Sequence, residues 1–333
     1  MQISRMIQGR VLYVSGSHLY LARGAKLFFS TDGGNSFLPW LTLPVGGWQR
    51  IAMRIPLLAR LLRLGVHHLV FSGERGVVVV NKETFLIDGR NVVRLGALHG
   101  SRPMALCSAK GGVYYGEYRS NPERSAVHVY GLDLTTCTWQ PVWCFEGVRH
   151  VHGVYFDPYT DAFWVTTGDA DDEAAIWRSD DDFQTLRRVA GGSQQFRAVQ
   201  LLFTPDYVYF GSDAPDECNH IYRMDRSGRC VENLVAVGGS VFYGCQVDND
   251  LFFSTAVEPS KINQRAFSEV WHSADGANWQ KPLELKKDAL PMKYFQYGQV
   301  LFPLCEGGQE SLYCTAFATE FHEKTFVLPL AKI

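Results

Sequence analysis

The side chains of this 333-residue chain best suited to proton transfer and anion binding fall in three stretches: Arg149-His150-Val151-His152, Gln194-Gln195-Phe196-Arg197 and Val241-Phe242-Tyr243. An imidazole changes charge near neutral pH, a guanidinium grips a carboxylate through two parallel N–H donors, and a positioned phenol can pass a proton. His152, Arg197 and Tyr243 each open an apolar run that reads as a strand, so they hold matching positions in successive stretches. His150 and His152 are taken to alternate along their strand, with His152 turned to the site and His150 beside it as a ligand contact. Gln195 precedes Arg197 by two and is expected on its side. Tyr118, Arg119 and Arg124 crowd the polar turn Tyr118-Arg119-Ser120-Asn121-Pro122-Glu123-Arg124, and Asn219 ends a second such turn, Ser212 to Asn219. Together these groups suit a polyhydroxylated, carboxylated ligand.

The carboxylates offer a second chemistry. Asp213, Glu217 and Glu258 lie in turns able to lean inward, and oxygen-rich ligation of that kind suits Ca2+ or Mn2+. Asp169, Asp171 and Glu173 read as a solvated acidic turn. Each candidate also has a structural reading: a hydrogen-bonded strand histidine, a packed tyrosine, a turn carboxylate facing water.

Composition narrows the field. The 32 basic and 34 acidic residues, net −2, leave no electrostatic footprint for nucleic acid. The eight cysteines show no metal-type spacing and several sit in apolar runs such as Ala105-Leu106-Cys107, so reduced, buried thiols are expected. Met1 to Arg10 lacks the apolar core of a signal peptide and no run is long enough to span a bilayer, which points to the cytoplasm.

The elements that must position these residues are written as a repeat. Ser30-Thr31-Asp32-Gly33-Gly34-Asn35-Ser36-Phe37 returns as Ser179-Asp180-Asp181-Asp182-Phe183 and as Ser273-Ala274-Asp275-Gly276-Ala277-Asn278-Trp279. An Asp accepts N–H bonds across a tight turn, a Gly supplies positive φ, and the aromatic plugs the hairpin into the next layer. The spacings fit a unit of about 47 residues. Degenerate units at Asp133, at Asp225, between Lys82 and Arg94, and after Ser273 bring the count to seven. The turns resemble the Asp-box of sialidase-like β-propellers. An all-β, seven-bladed propeller of four-stranded antiparallel blades is therefore expected, with residues 1–333 as one domain and the N-terminal residues adding a strand to the last blade.

One segment breaks the β pattern. Trp48 to Gly65 carries Pro56 at a helix start, then Leu57-Leu58-Ala59-Arg60-Leu61-Leu62-Arg63-Leu64 and a closing glycine, which predicts a short basic amphipathic helix near residues 49–65. Residues 50–64 thus offer a peripheral membrane or protein contact, or a helix laid on the rim.

In four-stranded meanders A-B-C-D, the A-B and C-D turns share one face of the disc. The B-C turns and D-to-A crossovers share the other, and that face receives the His, Arg, Gln, Asn, Tyr and carboxylate stretches above. Seven-bladed propellers similar in layout include polysaccharide lyases and uronic-acid-cleaving glycosidases. That likeness implies an enzyme on an acidic oligosaccharide or polysaccharide, most simply by β-elimination: Arg197 with Gln195 or Asn219 on the carboxylate, His152 as base, Tyr243 or Tyr118 as acid. A hydrolase would use two of Asp169, Asp213 and Glu258. The alternative is a non-catalytic propeller that binds a glycan or a protein on this face. Arg54-Ile55-Pro56 reproduces a sialidase tripeptide at the start of the helix, not on an inner strand, and carries no role.

Overall fold

The computed structural model describes residues 2–330, and their strands fall into seven sheets that form a seven-bladed β-propeller. The inner strands are Arg10–Ser15, Val66–Ser72, Cys107–Ala109, Val151–Asp157, Ala198–Phe203, Val241–Val247 and Gln299–Leu301. Outward from each runs an antiparallel meander, shown in blade 2 by Val66–Ser72, Arg75–Val80, Glu83–Asp88 and Asn91–Ala97. The second strand of that blade reads as unbroken valine from Val77 to Val80, all fully buried. Blades stack on both of its faces, so apolar side chains are needed on both. The outer strand, with one face in water, mixes Asn91 and Arg94 with its valines.

Closure comes from the N-terminus. Arg5–Gln8 pairs antiparallel with Lys324–Pro329 and becomes the outer strand of blade 7, so this sheet joins both ends of the described chain. A second tie was not anticipated: Leu304–Cys305 pairs parallel with Tyr13 and Val14 of the first inner strand.

In each of the three Ser-x-Asp turns the serine hydroxyl donates to the aspartate two residues on, and the aspartate accepts a backbone N–H from three or four residues further along. Asp32 accepts from the Ser36 N–H at 3.0 Å and hydroxyl at 2.6 Å, Asp181 from the Thr185 N–H at 2.8 Å and hydroxyl at 2.7 Å, and Asp275 from the Asn278 N–H at 2.7 Å. Where the first turn uses Gly33 and Gly34 at positive φ, the second uses Asp182 and Phe183, at φ 55° and 69°. Asp133 and Asp225 accept backbone N–H bonds in two further turns.

The segment expected as one helix is two. Helix α1, Gly47–Ala52, and helix α2, Pro56–Leu61, are separated at Ile55, which takes an extended conformation because a following proline disfavours the helical one. A third short helix, α3, Met292–Phe295, was not expected. Helix α2 is turned inside out: Ala59 and Arg60 are buried, while Leu57, Leu61 and Leu62 are exposed. Arg60 forms an ion pair with Asp288 and donates to the Phe295 carbonyl, tying α2 to α3. The cysteines are unpaired, but only Cys107, Cys245 and Cys314 are buried; Cys144, Cys218 and Cys230 are exposed, on an outer strand and in two turns where no core covers them. None of the described helices is long and apolar enough to cross a membrane.

Candidate functional site

The B-C turns and the D-to-A crossovers open on one face, with α1, α2 and α3 among the crossovers. At its centre lies a cavity of about 470 Å3 whose lining includes Tyr118, His152, Asp169, Arg197, Asp213 and Glu258. A second cavity, of about 520 Å3, reaches the other face past Pro158 and Tyr159. Arg10, His68, Met104 and Tyr243 line both cavities and form the throat between them.

On the side of blades 3 to 5, the cavity wall is a closed network. His150 Nε2 and His152 Nε2 are 2.9 Å apart, and Asp169 Oδ1 lies 3.1 Å from the first and 3.3 Å from the second. Of the two imidazoles only His152 lines the cavity, but the expected alternation is corrected: both rings turn to Asp169. Residues two apart on a strand share a side, and a register shift between Val151 and Gly153 brings the two rings together. Arg197 Nη2 reaches Asp169 Oδ1 at 3.2 Å, and Arg149 Nη1 reaches Oδ2 at 3.3 Å. Arg197 Nε also faces Asp213 Oδ2 at 3.4 Å, so one guanidinium serves two carboxylates. Tyr118 lies against His150 with ring centroids 4.2 Å apart.

Burial and charge set the protonation states. Burial brings His152 down to about 4, against the pull of Asp169. For Asp213 burial wins over Arg197, and its carboxyl rises to about 7. The Tyr118 phenol is pushed up by burial and by Asp169 and Asp213.

Several sequence candidates lie elsewhere or are already committed. Arg119 donates to Glu117, Asn121, Ser125 and the Ala126 carbonyl, holding its own turn together. Arg124 reaches into the next blade to Glu173, whose carboxylate is buried and also accepts the Arg149 N–H. Glu173 is thus a structural acceptor, not a solvated turn residue. Asn219 is buried, with its amide spent on Ser212, Ala214 and Asn263. Gln195 sits in the 3-10 turn Gln194–Phe196, which takes it off the cavity wall, and the neighbouring Gln194 bonds Asp169 O and Asp171. Of the proposed oxygen ligands, Asp213 and Glu258 line the cavity and Glu217 is exposed apart from them. Glu258 accepts from the Ser240 hydroxyl at 3.3 Å.

The opposite wall is one that sequence reasoning missed. Arg10, Arg63 and Arg102 line the cavity with His67 and His68, and none of the three arginines forms an ion pair with a carboxylate among the described residues. Arg10 Nε is buried without a hydrogen-bond partner, and Arg102 Nη1 lies 3.2 Å from the His67 ring. Burial lowers Arg10 to about 10, with Arg102 adding to the effect. Burial and the arginines hold His67 and His68 in their neutral forms, His68 at about 3. Tyr243 belongs to this lobe: its hydroxyl lies 3.5 Å from Gln299 Oε1, and burial raises it although Arg10 and Arg102 pull it down. The signal was present in the sequence, since Arg10 opens the first inner strand much as His152 opens the fourth.

No protein-family profile matches the chain, and no curated protein sequence matches it. Solved structures do. One described as YCF48 bound to D1 peptide has a TM-score of 0.59 at 14% identity, covering 98% of this chain and 97% of its own. A chain of the mitotic checkpoint complex has a TM-score of 0.57 at 10% identity, covering 99% of this chain and 95% of its own. At these identities the likeness is one of fold, and what this chain shares with both is the propeller as a scaffold.

Proposed function

We propose that this propeller is a non-catalytic binding scaffold whose crossover face takes an acidic segment of a protein partner, flanked by apolar residues, into the axial cavity. The observation that carries the reading is the lobe of Arg10, Arg63 and Arg102, cationic groups that line a cavity without carboxylate partners among the described residues. Guanidinium forks in such a setting suit a carboxylate supplied from outside.

The rim supports the same reading. Trp48, Ile51, Ile55, Leu57, Leu61 and Leu62 are exposed on and between α1 and α2, with Tyr294 and Tyr297 exposed on and beside α3. Ala59, Arg60, Arg63 and Tyr297 reach from these helices into the cavity wall, so apolar anchors border a cationic pocket. Residues 46–65 contain four arginines and no acidic residue, which favours an acidic partner. By contrast, the candidate base is enclosed: His152 is 2% exposed, its Nδ1 bonds the Ala198 carbonyl, and its Nε2 faces His150 and Asp169 rather than open space. One structural neighbour is described with a bound peptide, which fits a partner of this class.

A random-peptide display library panned on the purified chain tests the reading. Selected peptides should combine Asp or Glu with neighbouring aliphatic or aromatic residues, and should lose about tenfold or more in affinity against Arg102→Gln or Leu61→Ser. Selected peptides indifferent to both substitutions would overturn it. So would conversion of an acidic oligosaccharide to an unsaturated product, which would return the face to lyase chemistry through His152, Arg197 and Tyr243. Cosedimentation with anionic lipid vesicles in place of peptide capture would reassign the helices to a membrane surface.

A further inference from the structure

His150, His152 and Asp169 bring three electron-pair donors to one point with no hydrogen between them. His150 Nδ1 lies 3.3 Å from the Arg119 carbonyl oxygen, and His152 Nδ1 lies 3.0 Å from that of Ala198. A carbonyl only accepts, so each Nδ1 carries its ring's hydrogen and each Nε2 is left as a lone pair. Yet the two Nε2 atoms stand 2.9 Å apart, with the Asp169 carboxylate oxygen 3.1 and 3.3 Å away. Three acceptors so placed repel one another unless a cation joins them.

The separations match a metal site. With bonds of about 2.0–2.1 Å, two ligands of a tetrahedral Zn2+ stand roughly 3.3 Å apart. Both imidazoles also have the outer-shell bond, Nδ1–H to a backbone carbonyl, that fixes the tautomer and ring orientation of metal-bound histidines. Arg149 and Arg197 do the same for the carboxylate. His150 and His152 are buried and pinned at a bulged strand end, so the ligands are held in place before any ion arrives.

We infer that His150, His152 and Asp169 form a binding site for a divalent late first-row metal ion, Zn2+ in the first instance, with the remaining coordination position open to the axial cavity. Two imidazoles and one carboxylate select against Ca2+ and Mg2+, which take oxygen. The oxygen set suggested by the sequence contributes no ligand, since Arg197 stands between Asp213 and Asp169. The site is separate from the Arg10 and Arg102 lobe and does not depend on the docking reading.

The full chain, stripped with a chelator, is titrated with Co2+ and then with Zn2+. The expected result is a visible d–d band that saturates at one Co2+ per chain, is displaced by Zn2+, and is lost in His152→Gln and Asp169→Asn. His272→Gln, at a histidine that contacts Asp250 instead, should keep it. Should either site variant misfold, melting of the wild type decides: Zn2+ should raise Tm by several degrees and Ca2+ should not. No cobalt band together with no Zn2+ effect on Tm would overturn the inference and leave a shared proton as the joining cation. An equal response to Ca2+ would also overturn it and point to an oxygen site.

Discussion

Replacing Asp213 with asparagine is expected to relieve a pH-dependent cost that the wild type carries. The carboxyl is buried, one oxygen faces Arg197 and the other, Oδ1, has no hydrogen-bond partner. Its pKa rises from an ordinary 3.8 to about 7 in the folded chain. The sign follows from which state holds the proton. Below about pH 4 both states are protonated and the group is neutral toward folding. As pH rises toward 7, the unfolded chain releases the proton while the folded chain keeps it, so stability falls, and above 7 the full cost is reached. A rise of roughly 3 pH units at about 1.4 kcal/mol each makes that cost on the order of 4 kcal/mol. Asparagine keeps an oxygen to accept from Arg197 and cannot ionise. Denaturant unfolding of both proteins between about pH 4 and 8 supplies the test: the stability of Asp213→Asn minus that of wild type should climb through this window and level off above 7. A flat difference would mean that Arg197 fully offsets the burial, and a falling one would reverse the reasoning.

Two further substitutions probe how the blades are joined. Asp157 is fully buried and accepts two bonds from Arg226, at 2.6 and 3.1 Å, across the joint between blades 4 and 5, so Arg226→Met should cost about 3 kcal/mol by removing the counter-charge and leaving only the Tyr159 N–H and the Thr160 hydroxyl as donors, read as a fall in Tm. At Gly211 an added Cβ would stand 2.4 Å from Val241 of the next blade, so Gly211→Ala should cost about 1–3 kcal/mol in denaturant unfolding, whereas Gly47→Ala, with open space around it, should cost nothing measurable.

The architecture was legible because it is repeated. Ser30, Ser179 and Ser273 with their aspartates mark equivalent turns, and the alternation of apolar runs between them fixes four strands to a blade. Local chemistry was less legible wherever a side chain's partner came from another blade. Arg124 looked free because Glu173 is 49 positions away and was read as solvated. Asn219 looked like a ligand contact, while its partner Asn263 lies in the next blade's turn. The helix was visible as an element, but its orientation was not. Basic amphipathic periodicity implies Leu inward and Arg outward, and only the distant Asp288 and the Phe295 carbonyl reverse it by drawing Arg60 in.

Half of the axial site is hidden in the sequence for a related physical reason. Polar residues are dense in blades 3 to 6, but density there reflects mutual neutralisation: Arg197 is spent on Asp169 and Asp213, and Arg149 on Asp169. Across the cavity Arg10 and Arg102 stand apart from other charged residues in the sequence and form no ion pair with a carboxylate among the described residues. Binding capacity resides where charge is left over, and charge is left over where the sequence looks sparse. One cavity therefore has two unlike walls, a neutralised one that can organise a metal ion and a cationic one that can receive an acidic group. A ligand carboxylate held by Arg10 and Arg102 would lie in the same cavity as the open position of the metal, so ligand and ion are expected to sense each other's charge.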